Sequence, residues 1–390
     1  MMPMMVETPA QLEALCTRVR NAGRVGLDTE FHTERAYTPR LMVVQLAFDD
    51  GAAIVDTLAL PNLSSLIAAL DAAEVVGHAL ASDVKIFADR FDAVPSRLFD
   101  CQVAASFLGY GMQVSLADLV ADLRRVRLAK TQTVSDWSTR PFSEKQLEYL
   151  VDDVVHLLPM RDALLTKLRV LGRESWALEE FEALGRIERY RTDPRRALLR
   201  IPGSNRMSRR ELGVLDALVR WRDELARERD LPTKYILPDD VLAGLATLRP
   251  SGLDELSQLR RLEAGARRNL GPQILAAIAR GEALPDDALP EKASRPLSNP
   301  RETLAALMAV VIGEIARAHD LPSGLLVPRA ALERVARELP RDRSSLEALL
   351  DLSAWRLGLV SEPMWRLLSG DSTLRIEGYG EGDPKIRRSS

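Results

Sequence analysis

The sequence predicts an amino-terminal α/β domain, with a mixed sheet flanked by helices, followed by two small all-α domains. Two observations support this prediction. Residues 1–165 alternate strand-like and helix-like segments, as α/β domains do. Beyond them the strand pattern stops, and one arrangement of amphipathic helices occurs twice. A chain of 390 residues is long enough for two or three domains.

The elements of the α/β domain are predicted from apolar runs bounded by turn residues. "LMVVQLAF" (41–48) and "GAAIVD" (51–56) flank the turn "DDG" and are predicted to be neighbouring strands. "EVVGH" (74–78) predicts a short buried strand. We expect the edge of the sheet to be antiparallel. Helices are predicted at residues 82–91 (with Ser82 as N-cap), 97–109, 116–126 and 143–172.

The two all-α domains are predicted from an internal repeat. Residues 207–259 contain a long amphipathic helix, the tetrapeptide "RDLP" and a short segment, "YILPDD", that opens another helix. Residues 299–340 repeat this arrangement with "HDLP" and "LLVPRA". Between them, the Pro-rich and charged residues 281–300 predict a linker.

Charge is distributed unevenly along the chain, although the net charge is only −3. Residues 1–165 carry 15 basic and 22 acidic side chains, a net charge of −7. Residues 166–205 and 206–281 each carry a net charge of +3. An acidic metal-binding domain beside a basic RNA-binding module would give this asymmetry, and a chance fluctuation is the alternative.

Two acidic residues interrupt the apolar strand "RVGLDTEFHT" (24–33). Asp28 and Glu30 are two positions apart, so a strand presents both on one face, ~7 Å apart. Like charges at that spacing repel unless a cation lies between them. The alternative is a solvated strand face.

Further acidic residues occur at two other places in the predicted domain. Asp83 follows the strand "EVVGH" by five residues. In "EYLVDDV", Tyr149 and Asp153 are four positions apart, on one face of a helix. Together with Asp28 and Glu30 these residues predict a site for two hard cations, Mg²⁺ or Mn²⁺, of the kind that catalyses phosphoryl displacement.

Three motifs in this order resemble those of a known superfamily. "VGLDTEF", "VVGHALASD" and "YLVDD" are similar to the exonuclease motifs of the DEDD superfamily, in its Tyr-bearing subgroup. The closest resemblance is to bacterial ribonuclease D, and "KTQTVSDWSTRPFSEKQLEYLVDDVVHLLP" (130–159) is its most specific part. The repeated helical segments resemble the paired HRDC domains of that family. The resemblance implies a ribonuclease H-like sheet followed by two HRDC domains.

The resemblance also implies roles for the catalytic residues. Asp28, Glu30 and Asp153 would hold the cation that activates water. Asp28 and Asp83 would hold the second cation. Tyr149 would orient the attacking water, because a phenol with a pKa near ~10 is a poor general base at neutral pH.

Substrate contacts are predicted at three further positions. Phe31 would pack against the terminal bases or, alternatively, belong to the core. Lys130 and Arg140 would reach phosphates, or would only be solvated. A basic track for the RNA backbone is predicted from nine arginines. They are Arg186, Arg189, Arg191, Arg195, Arg196, Arg200, Arg206, Arg209 and Arg210.

The function implied by the resemblance is hydrolytic 3′→5′ exoribonuclease activity. The substrates would be tRNA precursors and other small structured RNAs with 3′ extensions, and the products 5′-mononucleotides. One alternative is a 3′→5′ DNA exonuclease of the proofreading type. The other is an RNA-binding protein without catalytic activity.

Domain boundaries follow from the same analysis. The exonuclease domain is predicted at residues 1–172, and the segments after it are a helical connector (173–204), a first HRDC domain (205–283), a linker (284–298), a second HRDC domain (299–372) and a disordered tail (373–390). We expect a monomer with no membrane partner and no secretory signal. Two cysteines without a CxxC motif favour a cytoplasmic location.

Overall fold

The chain forms a six-stranded sheet covered by helices on both faces, followed by two helical bundles. The computed structural model describes residues 2–32, 36–128, 136–191, 193–292, 297–377 and 385–389. No helix within these ranges combines the length and the apolar character that crossing a membrane requires.

The sheet is mixed, as predicted. Its strands are β1 (Met4–Val6), β2 (Arg24–His32), β3 (Arg40–Phe48), β4 (Gly51–Asp56), β5 (Glu74–Gly77) and β6 (Leu98–Asp100). They lie in the order β1-β4-β3-β2-β5-β6, and β3 is antiparallel to both of its neighbours. The prediction of an antiparallel edge is wrong, because both edge pairs, β1–β4 and β5–β6, are parallel. The short connections on either side of β3 produce antiparallel pairing in the middle of the sheet.

Helices cover both faces of this sheet. They are α1 (Pro9–Ala22), α2 (Ser64–Asp71), α3 (Ala81–Phe91), α4 (Cys101–Ser106), α5 (Leu116–Arg124), α6 (Glu144–Val155), α7 (Leu157–Val170) and α8 (Glu174–Leu184). One face packs against α1, α2 and α3 in a continuous apolar core. The opposite face packs against α4, α6 and α7.

Three local predictions differ from the structure. Residues 97–109 are not one helix, because Leu98–Asp100 pair with β5 and Asp100 then caps α4 by accepting from the Gln102 and Val103 N–H groups. Residues 143–172 form two helices, α6 and α7, that meet at His156. Ser82 is not an N-cap, since α3 begins one residue earlier.

The two helical bundles share one arrangement of helices. The first contains α10 (Arg209–Glu228), α11 (Thr233–Ile236), α12 (Asp239–Leu248) and α13 (Ala264–Glu282), preceded by α9 (Pro194–Arg200). The second contains α14 (Asn299–Ala318), α15 (Ser323–Leu326), α16 (Arg329–Glu338), α17 (Arg343–Leu350) and α18 (Ala354–Leu368). The helices α14, α15 and α16 start 90 residues after α10, α11 and α12, at 299, 323 and 329 against 209, 233 and 239.

Two segments lie outside the bundles and the sheet. The connector 173–204 contains α8 and α9, and Phe181 of α8 is buried against Phe99 of the sheet, while Leu198 of α9 packs into the first bundle. The tail is not disordered throughout. Strands β7 (Thr373–Glu377) and β8 (Lys385–Ser389) form an antiparallel ribbon, as the β-formers Thr373 and Ile376 favour.

Candidate active site

The acidic residues of β2 lie on one face of the sheet. In the antiparallel register Asp28 is opposite Gln45 and Glu30 is opposite Val43, and the register shifts just after Glu30. Such irregularities are common beside active sites, where they redirect a side chain. Carboxylate oxygens of Asp28, Glu30 and Asp153 all lie within 4.8 Å of one another. The structure therefore brings together acidic side chains from two distant segments.

Helix α6 supplies Asp153 and Tyr149 to this group. It begins with a capping box formed by Ser143 and Gln146, and it packs on the sheet through Leu150 and Val154. Gly26 permits the close approach, because a Cβ there would lie 3.2 Å from the Val154 carbonyl oxygen and 3.0 Å from the Ala47 Cβ. The helix thus places its polar residues beside the acidic strand.

Asp83 lies at the start of α3, next to the three clustered carboxylates. Its side chain is buried and accepts a short hydrogen bond from the Thr29 hydroxyl. Asp100 holds the turn that leads into α3, because it accepts the Ala79 and Leu80 N–H groups at 3.1 and 2.8 Å. Asp83 is not part of the 4.8 Å cluster, yet, after burial, repulsion by its negative charge is the next cause of the raised pKa of Asp28.

Burial and repulsion by neighbouring acidic side chains raise the pKa of all four carboxyl groups. Burial is the largest cause in each. The pKa of Asp28 lies well above its usual value, and those of Glu30, Asp83 and Asp153 are raised to about 8, 7 and 6. Within the described ranges no Lys, Arg or His forms an ion pair with these groups. Hard oxygen donors that repel one another at this distance suit a divalent cation.

Two aromatic residues support the cluster from one side. The buried Trp137 lies beside Glu30 and opposes the rise in its pKa, and the Trp137 ring centroid is 5.7 Å from that of Tyr149. The Tyr149 side chain lies beside Asp153 and opposes the rise that burial causes in the pKa of that carboxyl group. Burial and the nearby carboxylates raise the pKa of Tyr149, so its phenol stays protonated and acts as a donor.

Arg140 has a position different from the predicted one. Its guanidinium donates to both Asp56 carboxylate oxygens at 2.6 and 2.8 Å and to the Trp137 carbonyl at 2.8 Å. It also lies 3.8 Å from the centroid of the Phe142 ring. Arg140 is therefore neither a free phosphate ligand nor merely solvated. It fixes the segment that carries Trp137.

The other predicted substrate residues are only partly described. Phe31 is half-buried and packs against the core on the α1–α3 face, so part of its ring stays accessible. Lys130 lies outside the described residues.

The predicted basic track is interrupted at its end. Arg209 and Arg210 donate to backbone carbonyls at the end of α13 and beyond it, including that of Leu289 at 3.0 Å and that of Glu282 at 2.9 Å. Arg191 lies 3.7 Å from Asp92. The side chains of Arg195 and Arg196 lie outside the described residues. Arg209 and Arg210 thus stabilise the first bundle internally.

Sequence reasoning missed Thr29 and Asp100. Thr29 lies between the two acidic residues of β2, and its side chain points to the opposite face of the sheet. It can therefore hydrogen-bond to a residue of a helix that packs on that face, as it does to Asp83 of α3. The signal for Asp100 was its place before a helix, where Asp is a favoured N-cap.

Comparisons with known proteins agree with this architecture. A family model described as 3′-5′ exonuclease matches residues 3–169, and one described as HRDC domain matches residues 211–278. Ribonuclease D of Granulibacter bethesdensis is 34% identical over 385 residues, covering 96% of this chain and 95% of that protein. Ribonuclease D of Escherichia coli is 30% identical over 371 residues, covering 93% and 98%.

The fold of the chain is also similar to that of a solved structure. The crystal structure of Escherichia coli RNase D, described as an exoribonuclease involved in structured RNA processing, superposes with a TM-score of 0.83 at 29% identity. The match covers 95% of this chain and 99% of that one. The chain therefore belongs to the ribonuclease D family of 3′-5′ exoribonucleases.

Proposed function

We propose that Asp28, Glu30, Asp83 and Asp153 hold two divalent cations, Mg²⁺ or Mn²⁺, at which the 3′-terminal phosphodiester of an RNA is hydrolysed. The observation that carries this proposal is the approach of the Asp28, Glu30 and Asp153 oxygens to within 4.8 Å of one another. Asp28, Glu30 and Asp153 would hold one cation, and Asp28 and Asp83 would hold the other.

The side chains around the carboxylates orient the reactants. When bound, two such cations would supply the positive charge that activates water and stabilises the attacking and leaving oxygens. Tyr149, whose raised pKa keeps its hydroxyl protonated, positions the water. Trp137 lies beside Glu30, and the accessible part of Phe31 packs against the terminal base.

The proposed substrates are tRNA precursors and other small structured RNAs with 3′ extensions, which are shortened to 5′-mononucleotides. This extends to the chain what is said of its Escherichia coli relative, an exoribonuclease involved in structured RNA processing. The proposal includes action as a monomer in the cytoplasm, and gel filtration tests the monomer.

The second helical bundle is proposed to be another HRDC domain. The family model covers only the first bundle, at residues 211–278. The proposal is supported by the common 90-residue offset of three helices. It is also supported by left-handed residues at equivalent positions, Asp230 and Asp320, with φ of 48° and 50°. The proposed domains are those predicted at 205–283 and 299–372.

A trimming assay tests the proposed activity. A tRNA with a few extra 3′ nucleotides, labelled at its 5′ end, is incubated with Mn²⁺ or Mg²⁺ and resolved to single nucleotides. We expect a ladder that shortens from the 3′ end, with 5′-mononucleotides as products. Internal fragments, an unchanged length, or faster digestion of single-stranded DNA of the same sequence would contradict the proposal.

A pair of matched variants tests the role of the carboxylates. Losing a residue that only hydrogen-bonds to a metal ligand typically lowers activity ~10–100-fold. Asp28→Asn should lower the trimming rate by more than this, because Asp28 is itself a proposed ligand. The control is Asp152→Asn, an exposed acid next to Asp153 on the same helix but rotated ~100° away. Equal activity of the two variants would count against the assignment.

A further inference from the structure

Gln45 is a buried polar residue beside the acidic strand. It lies in β3 directly opposite Asp28 in the antiparallel register, so both side chains extend from the same face of the sheet. Its exposed fraction is 0%. Cβ atoms of such opposed residues are about 4.5–5.5 Å apart, so a Gln side chain reaches the carboxylate of its neighbour.

The carboxamide of Gln45 has no hydrogen bond in the described part of the chain, at either its nitrogen or its oxygen. No other described side chain has two buried polar atoms without a partner. The neighbours that strand geometry gives Gln45 on this face are Val43 and Ala47 along β3 and Ile54 across on β4. These three residues are apolar. The one polar neighbour in the adjacent strands is Asp28, directly opposite Gln45 in β2.

A buried amide without a hydrogen bond destabilises the fold. We therefore expect the amide of Gln45 to form a hydrogen bond when the protein is active. Asp28 is an acceptor, and an amide N–H is a donor. A hydrogen bond from an amide N–H stabilises an ionised carboxylate.

We propose that Gln45 is a positioning residue, whose amide N–H donates to the Asp28 carboxylate and so fixes the orientation in which that carboxylate would bind the cations. This inference rests on the proposed function, in which Asp28 binds both cations. Partners of this kind orient metal ligands, and losing one typically costs ~10–100-fold in metal affinity or activity.

Gln45→Met tests the proposal, because Met fills a similar volume without polar atoms. Binding of Mn²⁺ is measured from the loss of the free-ion electron paramagnetic resonance signal. We expect affinity at least about tenfold weaker than in the native protein. We also expect kcat to fall while KM for a short RNA stays unchanged. The melting temperature without metal should be equal or higher, because two unpaired polar atoms are removed.

A merely structural role for Gln45 predicts the reverse pattern. Affinity for Mn²⁺ within twofold of the native value, or a lower melting temperature without metal, would overturn the proposal. Ile54→Val is the matched control, since Ile54 is buried in the next strand on the same face. It should lower the melting temperature and leave Mn²⁺ affinity unchanged.

Asp28→Asn separates this inference from the proposed function. If Asp28→Asn weakens Mn²⁺ binding and Gln45→Met does not, the role of Gln45 alone is wrong. If Asp28→Asn binds Mn²⁺ as the native protein does, the proposed cation site is wrong as well.

Discussion

The two helical bundles share a helix arrangement but join the α/β domain in different ways. The second bundle shares a continuous apolar core with that domain. Trp355 of α18 stacks on Trp176 of α8, with ring centroids 4.9 Å apart, and meets Phe107 edge-on at 5.4 Å. The first bundle has a separate core of its own, which Tyr37 of the α/β domain contacts.

Among the described residues, the contact that Tyr37 makes with the first bundle is mostly polar. The Tyr37 hydroxyl donates to Asp223 at 2.7 Å and accepts from Arg227 at 3.2 Å, and the Tyr37 N–H donates to Asp230 at 3.1 Å. Tyr37 lies in the connection that follows β2, the strand of Asp28 and Glu30. The same arrangement of helices therefore shares the core of the α/β domain in the second bundle and forms its own core in the first.

Removing the shared aromatic contact should have the largest effect. Trp355→Ala should lower the free energy of unfolding by about 3–5 kcal/mol, because a buried Trp leaves a cavity between the two regions. Urea unfolding measures this. Tyr235→Ala in the first bundle is the control, because Tyr235 is 57% exposed and should change stability by less than about 0.5 kcal/mol. Equal losses of unfolding free energy in the two variants would contradict the claim that the Trp355 contact stabilises the protein.

Weakening the polar contact should have a smaller effect. Tyr37→Phe keeps the ring and removes the hydroxyl, so the loss should be about 0.5–1.5 kcal/mol. Asp223 keeps Arg227 as a partner at 3.1 Å, which limits the cost. Calorimetry should show the first bundle unfolding earlier while the second still unfolds with the α/β domain. One common transition shifted by several degrees would mean that the first bundle is fixed as firmly as the second.

The parts of the fold that the sequence revealed are those set by local spacing. The hairpin of β3 and β4 follows from two apolar runs around "DDG", and the shared face of Tyr149 and Asp153 follows from helical periodicity. The missed features depend on residues far apart in the chain. Arg140 binds Asp56, 84 positions away, and Arg210 binds carbonyls more than 70 positions away. Neither partner is visible in a local pattern.

The sheet shows the same limit. The three residues of β6 are too few for a periodic signal, and only pairing with β5 makes them a strand. The hydrogen bond from Thr29 to Asp83 spans 54 positions and joins two elements that the sequence presents as separate motifs.

Diffraction from crystals soaked in Mn²⁺, recorded for its anomalous signal, tests the central claim most directly. The account predicts two peaks roughly 3.5–4 Å apart, one bound by Asp28, Glu30 and Asp153 and the other by Asp28 and Asp83. A map without a peak at Asp28, from crystals whose protein trims RNA in the same Mn²⁺ solution, would contradict it.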